Sequence, residues 1–218
     1  MKKLIQRSSN LFVALAICMI PSFAQADPNY SFAAQQKFIP KELGRVYLGM
    51  PLKEFAKQVD LSLGDIEDDR FDEIRIAAPF EKGNIRRLQI EVGGFPHDGR
   101  DMTLAPARSK RTNDVGEEFE INVKRLIIDK IPEKAFVYSI TVWYEPEFKL
   151  YDHIVKTYGK DGDERDPADE YHFYDTQWVK RTGDGLLWLI RAFHKGENPS
   201  LQLIGRIKGT PWSVDDLD

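Results

Sequence analysis

Cysteine is almost absent from this chain, which contains only Cys18 among its 218 residues. A single cysteine excludes a disulfide within the chain. Cys18 also lies in a leader that we predict to be removed (below), so the remaining protein would have neither a thiolate nucleophile nor a thiolate metal site. Such a protein depends on its own hydrophobic core for stability, and its length is sufficient to build one.

The motifs of several enzyme classes are also missing. There is no Gly-x-Ser-x-Gly turn to present a catalytic serine, and the Gly93-Gly94 pair lacks the rest of a phosphate-binding loop. The four histidines are His97, His153, His172 and His194, and no two of them have the spacing of a helical zinc motif, so we predict no metal site. Because the enzyme motifs above are missing, we also predict no catalytic residue and no cofactor. An envelope hydrolase is the less favoured alternative, since sequence spacing does not give the distance between two carboxylates across a sheet.

The first 26 residues have the three parts of a secretory signal peptide. Basic residues precede an apolar run at residues 11–20, and Ala24-Gln25-Ala26 matches the small-x-small cleavage pattern. The apolar run is shorter than the roughly 20 residues needed to cross a bilayer. The residue before Cys18 is not small, as lipid attachment there would require. We predict cleavage after Ala26 and a periplasmic or secreted protein without a transmembrane span.

The charge of the remaining chain excludes some partners. The leader carries three of the 31 basic residues and none of the 35 acidic ones, so the remaining chain has 28 basic residues and a net charge of −7. Nucleic-acid binding favours basic stripes, and we therefore predict no nucleic-acid partner. General adhesion to anionic lipid is disfavoured for the same reason.

Residues 27–44 are polar and are predicted to be a loosely ordered lead-in, and residues 45–128 then change from a helical to an extended pattern. Pro51 precedes an apolar stripe with helical spacing, which consists of Leu52, Phe55, Ala56 and Val59. Alternation predicts strands over residues 71–77, 85–92 and 119–128. The polar stretch 93–117 contains the basic cluster Arg108-Ser109-Lys110-Arg111 and is interpreted as an extended mobile loop.

Residues 129–209 repeat this order of elements. A strand rich in β-branched and aromatic residues is predicted over 135–144. A helix follows Pro146 and is expected to end at Gly159, and its apolar stripe is Phe148, Tyr151, Ile154, Val155 and Tyr158. The acidic segment 161–170 is interpreted as a solvated loop, because its order of carboxylates departs from that of a calcium loop. Strands are predicted over 171–179, 186–193 and 201–207, and residues 210–218 form an acidic tail.

These elements predict an α+β fold. The connections between strands are too short for the crossovers of a parallel sheet, so the strands should form antiparallel sheet with short helices packed on it. The shared order of elements in residues 45–128 and 129–209 suggests two tandem helix-plus-strands modules. The residues of the two halves match poorly, so a single unit is the open alternative.

Two short motifs carry a resemblance to a known group of proteins. Leu48-Gly49-Met50-Pro51 before the first helix and Tyr158-Gly159-Lys160 after the second are similar to the helix punctuation of BamE-like periplasmic modules, a group that includes the β-lactamase inhibitor protein. The resemblance implies a non-catalytic α+β module that binds other proteins. The chain departs from that group in having no lipid-bearing cysteine and no cysteine pairs.

Large aromatic residues concentrate in the second half of the chain and supply the candidate partner-binding residues, namely Trp143, Tyr171, Tyr174, Trp178 and Trp188. On a strand, Tyr171 and Phe173 lie on one face while Tyr174 and Trp178 lie on the other. Both faces therefore carry rings, and only one has to line the core. The other would expose large rings unless a partner or a helix covered them. Ordinary core packing is the alternative interpretation.

The leading hypothesis is an exported, non-enzymatic module that binds another envelope or secreted protein through an aromatic-bearing sheet face. A small-ligand or cell-wall binding protein with a pocket between sheet and helix is the second hypothesis. The sequence leaves the oligomeric state and the identity of the partner open.

Overall fold

The structure is a computed structural model, and it describes residues 29–61, 64–68, 74–95, 104–113, 115–164 and 174–213. The predicted leader and the last five residues lie outside these ranges. In the described part of the chain, no helix is long and apolar enough to cross a membrane.

Ten strands in the described ranges form one antiparallel sheet. They are β1 (Asp65–Asp68), β2 (Ile74–Lys82), β3 (Ile85–Gly93), β4 (Leu104–Thr112), β5 (Glu118–Leu126), β6 (Phe136–Tyr144), β7 (Asp163–Glu164), β8 (Thr176–Arg181), β9 (Leu187–Phe193) and β10 (Ser200–Gly205). Their order across the sheet is β4-β5-β1-β2-β3-β6-β10-β9-β8-β7. The predicted antiparallel α+β class is therefore confirmed, and sheet predominates over helix.

The helices are short. They are α1 (Phe32–Gln35), α2 (Leu52–Gln58) and α3 (Leu150–Tyr158), with 3₁₀ turns at Lys41–Leu43 and Ile128–Lys130. Helix α2 follows Pro51, as predicted. Helix α3 ends at Gly159, whose φ of 100° favours glycine because a Cβ would be strained there.

One face of the sheet forms the hydrophobic core. A continuous apolar row crosses six neighbouring strands, with each residue paired to the next, and consists of Ile76, Ile90, Ile140, Leu203, Ile190 and Trp178. Every member is at most 2% exposed. Each such side chain contributes about 1.5–3 kcal/mol on burial. A one-residue slip would move the row to the opposite face, so this row fixes the register.

Helices α2 and α3 cover this core face. Leu52 and Phe55 of α2 and Ile154 and Tyr158 of α3 belong to the same core as the strand residues. The ten strands form one continuous sheet, and the division into two tandem modules stays a prediction.

The long mobile loop predicted at residues 93–117 is wrong for residues 104–112, which form β4. Strand β4 pairs with β5 over nine registered residue pairs, from Leu104↔Leu126 to Thr112↔Glu118. Cross-strand ion pairs join Arg108 to Glu120 at 3.2 Å and Lys110 to Glu118 at 3.6 Å. In the acidic segment predicted to be a loop, residues 163–164 form β7, and residues 165–170 lie outside the described ranges.

The described part of the lead-in, residues 29–44, packs against the rest of the domain, and Ile39 and Leu43 belong to its core. Gln35 is fully buried, and its amide nitrogen donates to the Leu48 carbonyl and to Asp184 Oδ2, both at 3.0 Å. The Leu48 N–H donates to Gln35 Oε1 at 2.8 Å. The Ser31 N–H also donates to Asp184 Oδ2, at 3.1 Å. This partly buried network, the Gln35–Asp184 clamp, ties the start of the described chain to the β8–β9 turn.

The clamp predicts a loss of stability in acid. Partial burial alone would raise the pKa of Asp184, but hydrogen bonds from Thr182, Gln35 and the Ser31 and Leu186 N–H groups outweigh it and lower the pKa. The stabilisation is therefore fully present above the unfolded pKa of about 4 and is lost as pH falls through the lower folded value. We expect Asp184→Asn, whose amide would face four donors, to be less stable than wild type above pH about 4, with the difference shrinking at lower pH.

Urea unfolding midpoints of wild type and Asp184→Asn, measured from about pH 6 to about pH 2, check this expectation. A difference between the two proteins that stays constant over this range would contradict it.

Candidate functional site: an open sheet face

The face opposite the helices carries polar and charged side chains. Its central row crosses the same six strands as the core row and consists of Ala77, Gln89, Thr141, Gln202, Arg191 and Gln177. A flanking row contains Pro79, Arg87, Trp143, Ser200 and Phe193, and the other flanking row contains Arg75, Glu91, Ser139, Ile204, Leu189 and Val179. We call these three rows the open face.

Arginines lie against the aromatic rings at this face. The Arg87 guanidinium is 5.1 Å from the centre of the Trp143 ring. The Arg191 guanidinium lies over two rings, 5.5 Å from the centre of Tyr174 and 4.9 Å from that of Trp212. Its Nε donates to Gln177 Oε1 at 3.1 Å. Such stacking fixes the positions of the rings and the cations before a partner binds. Less side-chain entropy is therefore lost on binding.

The structure separates the five predicted partner-binding residues. Trp143 and Tyr174 lie at the open face and are partly buried, and Tyr171 lies outside the described residues. Trp178 and Trp188 are core residues, 2% and 0% exposed, so the candidate surface described here does not include them. The physical reason is that their strand positions point toward the helices.

Contacts with α3 and the lead-in explain the burial of these two tryptophans. Trp178 Nε1 donates to the Gly159 carbonyl at 3.2 Å, and its ring lies 6.0 Å from that of Tyr158. The Trp188 ring lies 5.7 Å from that of Phe38. The aromatic residues therefore divide between a core and a surface role.

The segment after β10, residues 206–213, crosses one end of the open face. Trp212 lies against Arg191, and Thr210 Cγ2 is 3.3 Å from the position that a Cβ on Gly93 would occupy. Trp212 is a site residue that sequence reasoning missed, and its only signal was a large ring in a polar tail.

The β4–β5 hairpin borders the open face on the other side and forms a basic cleft with β2 and β3. The cleft has a volume of about 270 Å³ and is lined by Asp65, Arg86, Arg87, Lys110, Arg111 and Arg125, together with small residues. Asp65, which is 6% exposed, accepts from Arg125 Nε at 3.1 Å and from an Arg111 terminal nitrogen at 3.3 Å. Arg86 donates to Asn198 beside it.

The charge of this side of the molecule is opposite in sign to that of the whole chain. The open face and the cleft carry seven cations, which are Arg75, Arg86, Arg87, Lys110, Arg111, Arg125 and Arg191. Their described carboxylates are Asp65 and Glu91, each of which is already paired with arginine. The full chain has a net charge of −4, so positively charged side chains are concentrated on this side of the described structure.

The described histidines do not contribute to this surface. His194 Nε2 is 3.0 Å from Thr176 Oγ1, and its ring lies 4.8 Å from that of Tyr151. Burial lowers the pKa of His194 and of His153. In the described ranges, no three His, Cys, Asp or Glu side chains group as metal ligands would. His97 and His172 lie outside those ranges.

A groove of about 560 Å³ on the helix side corresponds best to the second sequence hypothesis. It lies between residues 36–42 and α3 and includes Phe38, Glu42, His153 and Tyr158. Charged side chains such as Lys37, Lys41 and Lys156 line much of it, and it lies away from the arginine-stacked rings. The open face is therefore the better candidate site.

The similarity to BamE-like modules stays a prediction about two short motifs, because comparison of the chain with family models, with curated proteins and with solved structures finds no match.

Proposed function

We propose that the protein is an exported, non-enzymatic binding module whose open face binds a protein partner. The observation that carries the proposal is the set of arginine-stacked rings, Trp143, Tyr174 and Trp212, on a sheet face that the helices leave uncovered. Tryptophan, tyrosine and arginine are the residues that most often dominate the energy of protein interfaces. The face thus combines the side chains that a protein interface uses best.

The shape of the face favours a protein over a small ligand. Six strands spaced about 4.8 Å apart make a surface about 24 Å wide, whereas small ligands are usually held in enclosed cavities. The central row offers the half-buried amide groups of Gln89, Gln177 and Gln202 and the guanidinium of Arg191, which can form hydrogen bonds across an interface. The surplus of arginine favours a partner with an acidic surface.

The predicted leader places this interaction outside the cytoplasm, so the proposed partner is another envelope or secreted protein. The resemblance to BamE-like modules supports the same class of function, since it implies a module that binds proteins.

Site-specific photo-crosslinking in the producing organism tests the proposal. A photoreactive residue at Gln89 or Gln202, both in the central row, is expected to give a discrete crosslinked species. The same residue at Lys53, which is exposed on α2 on the other side of the sheet, is the matched control and should not. Adding Trp143→Ala should reduce the open-face crosslink about tenfold or more, since interface tryptophans are common hot spots.

Equal crosslinking from Lys53, or no discrete product from either open-face position, would contradict the proposed interface. The thermal midpoint of Trp143→Ala is measured alongside, so that loss of the crosslink is separated from loss of the fold.

A further inference from the structure

Among the described residues that line it, the basic cleft at the root of the β4–β5 hairpin carries more cations than carboxylates. Five cations line it, while Asp65 is the one carboxylate among its described lining residues. Lys110 is further opposed by Glu118 at 3.6 Å, where both side chains are exposed. The other four cations of the described lining are arginines on three strands: Arg86 and Arg87 from β3, Arg111 from β4 and Arg125 from β5.

The arginines of the cleft are positioned before any ligand arrives. Asp65 holds Arg111 and Arg125 together, and the terminal nitrogen of Arg125 donates to the Arg108 carbonyl at 3.3 Å. Arg111 Nε is buried without a hydrogen-bond partner in the described structure, which is a costly state for an arginine N–H. These donors are already fixed in place, so binding an anion on this side of the cleft would cost little further side-chain entropy.

The chemistry favours phosphate over a single carboxylate. Arginine forks match the geometry of phosphate oxygens, and a phosphate dianion can accept hydrogen bonds from several of these guanidinium groups at once. A volume of about 270 Å³ holds one headgroup, with the rest of a larger molecule outside. We propose that this cleft binds a phosphate monoester. The inference does not depend on the proposed protein interaction, since Arg111 and Arg125 belong to the hairpin and not to the open face.

Titration calorimetry with glycerol phosphate tests whether the cleft binds a soluble phosphate ester. Sedimentation with phosphatidylcholine vesicles, with and without phosphatidic acid, tests whether it binds the phosphate of a lipid headgroup. We expect saturable binding that Arg111→Gln weakens about tenfold or more, because a charged hydrogen bond is removed. The matched control is Arg108→Gln, on the same strand but with its side chain 75% exposed and paired with Glu120 outside the cleft. Arg86→Gln leaves the ion pairs of Asp65 intact and should weaken binding several-fold. This second variant tests the site even if Arg111→Gln fails to fold.

Binding of glycerol phosphate that follows this variant pattern supports a soluble phosphate ester. Binding confined to phosphatidic acid vesicles, with the same pattern, supports a lipid headgroup. Binding to neither probe overturns the inference, and so does an equal loss in Arg108→Gln or displacement by an acidic peptide but not by phosphate. Open-face crosslinking that survives Arg111→Gln would leave the proposed protein interaction standing in each of these cases.

Discussion

Trp178→Ala is expected to destabilise the protein by about 4 kcal/mol, the usual cost of removing a large buried aromatic side chain. Trp178 is 2% exposed and lies at the end of the apolar row that crosses six strands. Its replacement leaves a cavity next to Tyr158 and removes the donor to the Gly159 carbonyl. The free energy of unfolding, measured by urea denaturation with a circular dichroism signal, checks this value.

Trp143→Ala is the control for this prediction, because Trp143 is the same residue type at the open face. It is half-buried, packs on Arg87 and is not covered by any of the described helices, so its loss should cost about 1 kcal/mol or less. Similar destabilisation by the two substitutions would show that the two faces do not differ in burial as described. The pair therefore separates the core aromatic residues from those proposed to bind a partner.

Local patterns predicted the elements that have one buried face. Strand β3 and helix α2 were predictable because apolar residues recur at the period of each structure, and Gly159 marked the end of α3. Strand β4 was missed because its hairpin extends beyond the core. Its residues alternate between half-buried Ala107 and Ser109 and exposed Arg108 and Lys110, so no apolar period appears. Its backbone pairing with β5 is a long-range property that composition does not reveal.

The candidate site was only partly predictable for a related reason. Alternation assigned Tyr174 and Trp178 to the same face of one strand, but Tyr174 precedes β8 and its ring lies against Arg191 on the open face. Trp178 lies within β8 and points to the core. Which face of a sheet the helices cover depends on tertiary packing, and the sequence of one strand does not contain that information. Trp212 belongs to the site because the chain after β10 turns back across the sheet.

Gln35→Ala should have the second large effect and lower the free energy of unfolding by about 3 kcal/mol. This is a large effect for a polar residue in a segment that the sequence predicted to be loosely ordered. The side chain is fully buried and forms three hydrogen bonds, to both backbone groups of Leu48 and to Asp184. Its removal leaves the Leu48 N–H and carbonyl buried and unpaired, at about 1–3 kcal/mol for each unsatisfied group. Urea denaturation measures the change, and Gln36→Ala, at the exposed neighbouring position, is the matched control.

A double-mutant cycle with Asp184→Asn tests whether Gln35 acts through the clamp. Gln35 Nε2 donates to Asp184 Oδ2 at 3.0 Å, so the two substitutions disturb one network and their costs should not add. We expect the double variant to be more stable than the sum of the single effects by about 0.5 kcal/mol or more. Strict additivity, or a Gln36→Ala loss as large as that of Gln35→Ala, would contradict the assignment. The coupling follows from one buried amide that joins the start of the described chain to the β8–β9 turn, 149 residues away.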